Sequence, residues 1–377
     1  MKWSWKLGTI AGIDIKVHAA FLLALVWGAV MWGGGRLSGL AYGTLLTVVL
    51  FSIVVLHELG HALAARRYGI PVQDIVLLPI GGVARLSRMP EKPIEELVVA
   101  LAGPAVNVAF ALLLAPVVLL GSGVDLLNGE LPPMDSMASP TAMGFATFLL
   151  MVNVSLLLFN LIPAFPLDGG RVLRSLLAFR LPRARATSVA VLIGRGLAIL
   201  LGLYGLLTFD FFLAVIALFI FTAAGAEGGE VAAQEKLKGL RVAEVLGDHS
   251  PVLTSDMSAH TAFERLLRLS RPAMAVVDQD GGFLGVVTAA GMQRRWRGGE
   301  RGPLSNYAEK TGVVLDCDSS LDAARQQMLA NQAWVAPVYC GGQFAGLLNL
   351  ETIGQLLALR RNARHIDQAG LGATIDA

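Results

Sequence analysis

Charge is scarce in this chain. Asp, Glu, Lys and Arg make up 15% of its 377 residues, against about 25% in an ordinary soluble domain, which excludes a purely water-soluble protein of this length. The shortage is uneven: apolar residues dominate before about Ala226, and ordinary polar content returns from Glu227 to Ala377. A lipid-embedded part should therefore precede a soluble one. The formal net charge is only +2, and no basic run is interleaved with aromatic residues, so a nucleic-acid partner is excluded. Cysteine is almost absent. Cys317 and Cys340 both fall in the soluble part without C-x-x-C spacing, as expected of reduced thiols in a cytosolic compartment, and no disulfide scaffold or cysteine metal cluster follows. A signal-peptide cleavage pattern is also lacking after Lys2 and Lys6, so the amino-terminal segment should be retained.

What the chain does have is apolar runs. Stretches long enough, or nearly so, to cross a hydrocarbon core of roughly 30 Å lie at His18 to Trp32, Tyr42 to Ala65, Ile94 to Leu120, Ala142 to Ala164, Thr187 to Thr208 and Phe209 to Ala226. The expectation is a polytopic α-helical membrane protein of about six transmembrane helices. Lys and Arg favour the cytosolic ends of spans. Arg66, Arg67, Arg85, Arg88 and Lys92 follow the second span, and Arg171, Arg174, Arg180, Arg183 and Arg185 follow the fourth. The loop after the third carries Asp125, Glu130 and Asp135 with no basic residue, and should face outside. A multi-pass protein of the cytoplasmic membrane with both termini cytosolic results.

The second span contains His57-Glu58-Leu59-Gly60-His61. Residues four apart share a helical face, so both imidazoles can reach one metal ion while Glu58 reaches its bound water. Such a zinc ion lowers the pKa of its water to about 7, and a glutamate can then take the proton. Ionisable side chains inside an apolar span must face a partner, a cavity or an ion. A catalytic zinc usually takes a third protein ligand. Asp168, in Pro163-Ala-Phe-Pro-Leu-Asp-Gly-Gly170, can lie at the same depth. The pattern alone leaves it either as that ligand or as the cap of a helix starting near Gly169.

Taken together, His57-Glu-Leu-Gly-His61, Gly103-Pro-Ala-Val-Asn107 and Asn160-Leu-Ile-Pro-Ala-Phe-Pro-Leu-Asp168-Gly-Gly resemble the site-2 protease family of intramembrane zinc metalloproteases, over roughly Gly12 to Ala226. The resemblance implies that His57, His61 and Asp168 bind one zinc, that Glu58 is the general base, and that Asn160 holds the substrate or its oxyanion. Asn107 reads as helix-packing glue. Pro79-Ile-Gly-Gly-Val-Ala84 resembles the family's membrane-associated loop, open to strand addition by an unwound substrate or serving as a plain turn. The substrate would be a transmembrane segment of another protein, met within the lipid bilayer. The competing class is a zinc or proton transporter, since His, Glu and Asp within spans suit ion pathways too. Such a protein should show inverted repeats, and no second copy of the His57 motif is present.

After a linker at 227–239, the chain repeats itself. Ala262 aligns with Ala323, Val277 with Val338 and Gly285 with Gly346, each pair 61 apart. Each copy runs helix, short strand, turn, strand, helix, an order that resembles a pair of CBS domains at 240–299 and 300–361, before a tail at 362–377. The resemblance implies a regulatory unit able to sense adenine nucleotide. The copies read Thr288-Ala-Ala-Gly291 and Asn349-Leu-Glu-Thr352, however, and neither has the ribose-binding aspartate. A homodimerisation or stabilising module without ligand stands as the alternative.

Overall fold

The computed structural model describes residues 3–33, 37–79, 81–87, 89–90, 92–122, 141–246, 251–297 and 302–368. The acidic loop residues Asp125, Glu130 and Asp135, the basic Arg88, and residues 369–377 of the tail lie outside them. The chain divides into two compact units, Met1–Gly229 and Glu230–Ala377.

The first unit opens with a feature the composition hides. Strands β1 (Ser4–Ile10) and β2 (Ile13–His18) form a hairpin whose turn residues, Ala11 and Gly12, both have positive φ, as tight hairpin turns require. After two helices come β3 (Val72–Leu78) and β4 (Gly81–Leu86). The four make one sheet in the order β1-β2-β3-β4, with β2 and β3 parallel and β4 at an edge. Asp74 of β3 is buried and pairs with Lys16 of β2 and Arg85 of β4, which ties three strands together. The two cations hold its carboxyl below the ordinary aspartate range, Arg85 most strongly.

Among the described residues, five of the expected spans are helices long and apolar enough to cross a membrane. They are α2 (Leu37–Arg67), α3 (Pro93–Ser122), α4 (Ala142–Asn160), α6 (Arg183–Leu207) and α7 (Phe211–Leu237). The first differs: of His18 to Trp32, the helical part α1 (Phe21–Gly33) has only 13 residues, about 20 Å at 1.5 Å each. His18 belongs to β2, and its Nδ1 accepts a hydrogen bond from the Ala20 amide. The short α5 (Asp168–Ala178) lies between α4 and α6. Stretch 227–239, expected as a linker, is helical as far as Leu237 because α7 runs on through it.

The second unit holds two three-stranded sheets. The first copy consists of β5 (Val252–Thr254), α8 (Ala259–Arg268), β6 (Met274–Val277), β7 (Phe283–Val287) and α9 (Ala289–Arg297). The second repeats the order as β8 (Leu315–Asp316), α10 (Leu321–Ala330), β9 (Val335–Cys340), β10 (Gln343–Asn349) and α11 (Leu350–Gln368). Even the helix caps repeat, since Ser258 and Ser320 each accept from the amide three residues on. The copies are interleaved. Val242, ahead of the first, is buried in the core of the second, while Leu304 and Tyr307, ahead of the second, are buried in the core of the first.

The cysteines depart from expectation. Pairing of Asp316 with Tyr339 in parallel strands puts the next residues side by side, and Cys317 is joined to Cys340 in a disulfide with Cα atoms 5.2 Å apart.

Candidate metal centre

The site is assembled where α2, α3 and α5 meet. His57 and His61 lie one turn apart on α2, only 4% and 6% exposed. Asp168 is the first residue of α5 and is also buried. Its Oδ2 lies 3.1 Å from Nε2 of each histidine, and the two Nε2 atoms are 3.1 Å apart. The three atoms thus form a near-equilateral triangle. Asp168 makes no side-chain cap for α5, whose N-cap residue is Leu167; its carboxylate is turned to the imidazoles instead.

The outer ring nitrogens fix what the inner ones can do. Nδ1 of His61 lies 2.7 Å from the carbonyl of Val99, and Nδ1 of His57 lies 2.5 Å from Oδ1 of Asn107. Both partners are acceptors, because the Asn107 amide nitrogen is engaged with Oδ1 of Asn153 at 3.0 Å. In its neutral form each imidazole then carries its proton on Nδ1 and presents the Nε2 lone pair to the centre. Two such lone pairs and a carboxylate oxygen that converge on one point suit a cation between them. A tetrahedral zinc bonded at 2.0–2.1 Å keeps its ligand atoms roughly 3.3 Å apart, which the triangle matches. Gly103 of α3 makes the room: a Cβ there would stand 2.2 Å from Nε2 of His61 and 2.7 Å from Nε2 of His57.

Glu58, on the next position of α2, is held from the other side. Its Oε2 accepts the backbone N–H of Ala84 in β4 at 3.0 Å. Gly82 permits this approach, since a Cβ there would meet the Glu58 Cγ at 2.7 Å. The stretch 81–84, read from sequence as loop or turn, is part of an edge strand laid across the glutamate. A cavity of about 440 Å³ opens over the centre, and His57, Glu58, Gly82, Asn160, Asp168 and Arg171 are among the residues that line it. Asn160, the last residue of α4, therefore faces the same space as the proposed ligands.

Asn107 has a larger part than the packing role expected of it. It does join α3 to α4 through Asn153, but it also orients the His57 ring. A hint was available in sequence: Asn107 stands one turn after Gly103 on the face that meets α2. Outer-shell partners of this kind usually contribute 10–100-fold in metal affinity. Asn107→Leu is accordingly expected to bind zinc about 10–100-fold more weakly, read by competition with a chromophoric chelator. The Arg195 guanidinium lies over the Phe221 ring at 4.9 Å.

Two imidazoles and a carboxylate, buried among apolar helices with a second carboxylate beside them, are the kind of donor set that metallohydrolases use. The model of peptidase family M50 matches residues 45–201. A zinc metalloprotease of Methanocaldococcus jannaschii is 28% identical over 95% of this chain and 97% of its own length. Rip3 of Mycobacterium tuberculosis, a candidate zinc metalloprotease, is 31% identical over 74% of this chain and 73% of its own. Among solved structures, a site-2 protease from M. jannaschii is 33% identical, covering 60% of this chain and 95% of that one with a TM-score of 0.42. The chain belongs to peptidase family M50, the site-2 proteases. It is a zinc metalloprotease of the membrane.

Proposed function

We propose that His57, His61 and Asp168 hold a single zinc ion, that Glu58 is the general base, and that the substrate is a transmembrane segment hydrolysed inside the bilayer. The observation that carries this reading is the triangle formed by two imidazole Nε2 atoms and one carboxylate oxygen, each 3.1 Å from the others. The zinc supplies a Lewis acid and a water of lowered pKa. Glu58, fixed by the Ala84 amide at the cavity wall, takes the proton of the attacking water and delivers it to the departing amine. The Asn160 amide, facing the same cavity, donates to the carbonyl oxygen as it gains charge.

A helical substrate must unwind before its carbonyl can be attacked, because its backbone groups are otherwise paired. The free edge of β4 gives the unwound stretch partners by strand addition, directly beside Glu58. The sheet supports an orientation. Strands from before α1 and after α2 pair with one another, as they would if α1 and α2 go out and come back. That return keeps an even number of crossings despite the short α1. With Arg66, Arg67 and Lys92 on the sheet side, that side is cytosolic, and both termini lie there.

We place the protease in residues 1–226, joined through 227–239 to a regulatory pair at 240–299 and 300–361. A ligand-responsive role is favoured over plain dimerisation by a cavity of about 620 Å³ in the second unit, with Thr288, Arg294, Lys310 and Trp334 among its lining residues. Full-length protein reconstituted in liposomes with an apolar model helix should cut within the apolar segment, stop on chelation and recover with added zinc. Zinc flux without cleavage would favour transport instead.

A further inference from the structure

We propose that Arg174 is a positioning residue for the metal centre: it clamps the helix that Asp168 opens and so sets the place of the third ligand. The role rests on the proposed His57, His61 and Asp168 centre. Helix α5 has 11 residues, too few for stable helix on its own account. Its location is dictated by what it is tied to. Asp168 stands at its first position and Arg174 six residues on, about 9 Å along the axis.

Arg174 is fully buried, and every side of its guanidinium is engaged. Its Nε donates to Glu96 Oε1 on α3 at 2.8 Å, its Nη2 donates to the same oxygen, and its Nη1 donates to Glu227 Oε1 on α7. The group also lies over the Phe165 ring, 4.9 Å from its centre, in the segment that leads into Asp168. One side chain therefore fixes α5 against α3, α7 and its own entry loop. Helix α3 is also the element that orients both histidines, through Asn107 and the Val99 carbonyl. The pair of Arg174 and Glu96 thus joins the helix bearing the carboxylate ligand to the helix that holds the two rings. Ligand sets must be kept within about 0.5 Å of their working geometry, and a buried ion pair of known partners does that. Lysine cannot reproduce the planar fork.

The test uses the full-length protein loaded with Co²⁺, whose visible bands report ligand geometry. Arg174→Gln should shift and weaken those bands, release metal to a chelator about tenfold faster or more, and lower kcat while KM stays near its starting value. Arg174→Lys should fall between it and the parent. Leu46→Ala, which removes a buried contact of α2 with Phe148, is the control that lowers Tm without moving the cobalt bands. An Arg174→Gln protein with a lowered Tm but unaltered bands and metal release would reduce Arg174 to packing and overturn the proposal. Should that variant not fold, Glu227→Gln, which leaves the Glu96 pair in place, decides: faster release supports the clamp and unchanged release overturns it. A parent protein that takes up no metal would sink the centre itself, an outcome distinct from a loaded parent with indifferent variants.

Discussion

Glu58→Gln should keep its zinc and lose cleavage by about 10³-fold, within the 10² to 10⁴ range typical of a missing general base. The amide has the volume of the carboxylate and can still accept the Ala84 N–H through its oxygen. What it cannot do is take a proton from water. The ligand triangle of His57, His61 and Asp168 does not include Glu58, so metal content should stay at one per chain. A loss of 10³ corresponds to about 4 kcal/mol of transition-state stabilisation. Single-turnover cleavage of a reconstituted model helix, with zinc measured by elemental analysis on the same sample, checks both halves. A variant that cuts within about tenfold of the parent rate would remove Glu58 from the chemistry.

Asp168→Asn should do the opposite and empty the centre. The substitution keeps side-chain volume, and Asp168 makes no side-chain cap for α5, so the helix should still start where it does. It removes the negative charge and one of the two carboxylate oxygens. Affinity for zinc should fall by more than the 10–100-fold expected for an outer partner such as Asn107. After dialysis against a weak chelator, the parent should retain one zinc and the variant should hold well under one. Cleavage should vanish with the metal and return in part at high added zinc. Retention of full zinc at parental affinity would remove Asp168 from the ligand set and require a different third ligand.

How far these residues could be read in advance depended on the distance between partners. His57, Glu58 and His61 share a single turn of one helix, so periodicity alone groups them. Asp168 lies 107 residues beyond His61, and only resemblance to a family linked the two. Asn107 was underrated for a related reason: its partner His57 is 50 residues away, and the pairing exists only once α2 and α3 pack. The sheet escaped notice because its strands come from two stretches separated by two apolar helices, and because Trp3, Trp5 and Leu7 alternate at the very start of a chain dominated by longer apolar runs. The second unit was easier. Its 61-residue repeat and the order of helix, strand, turn, strand, helix in each copy are local signals. The disulfide was not local, since Cys317 and Cys340 meet only through the register of β8 and β9.

The interleaving of the two C-terminal copies has a consequence for how that region behaves as a whole. Each copy borrows its last apolar plug from the chain ahead of the other, Val242 in one direction and Leu304 with Tyr307 in the other. Excising either copy together with the stretch ahead of it would therefore take a buried residue out of the other's core. Neither copy closes its interior with its own residues alone.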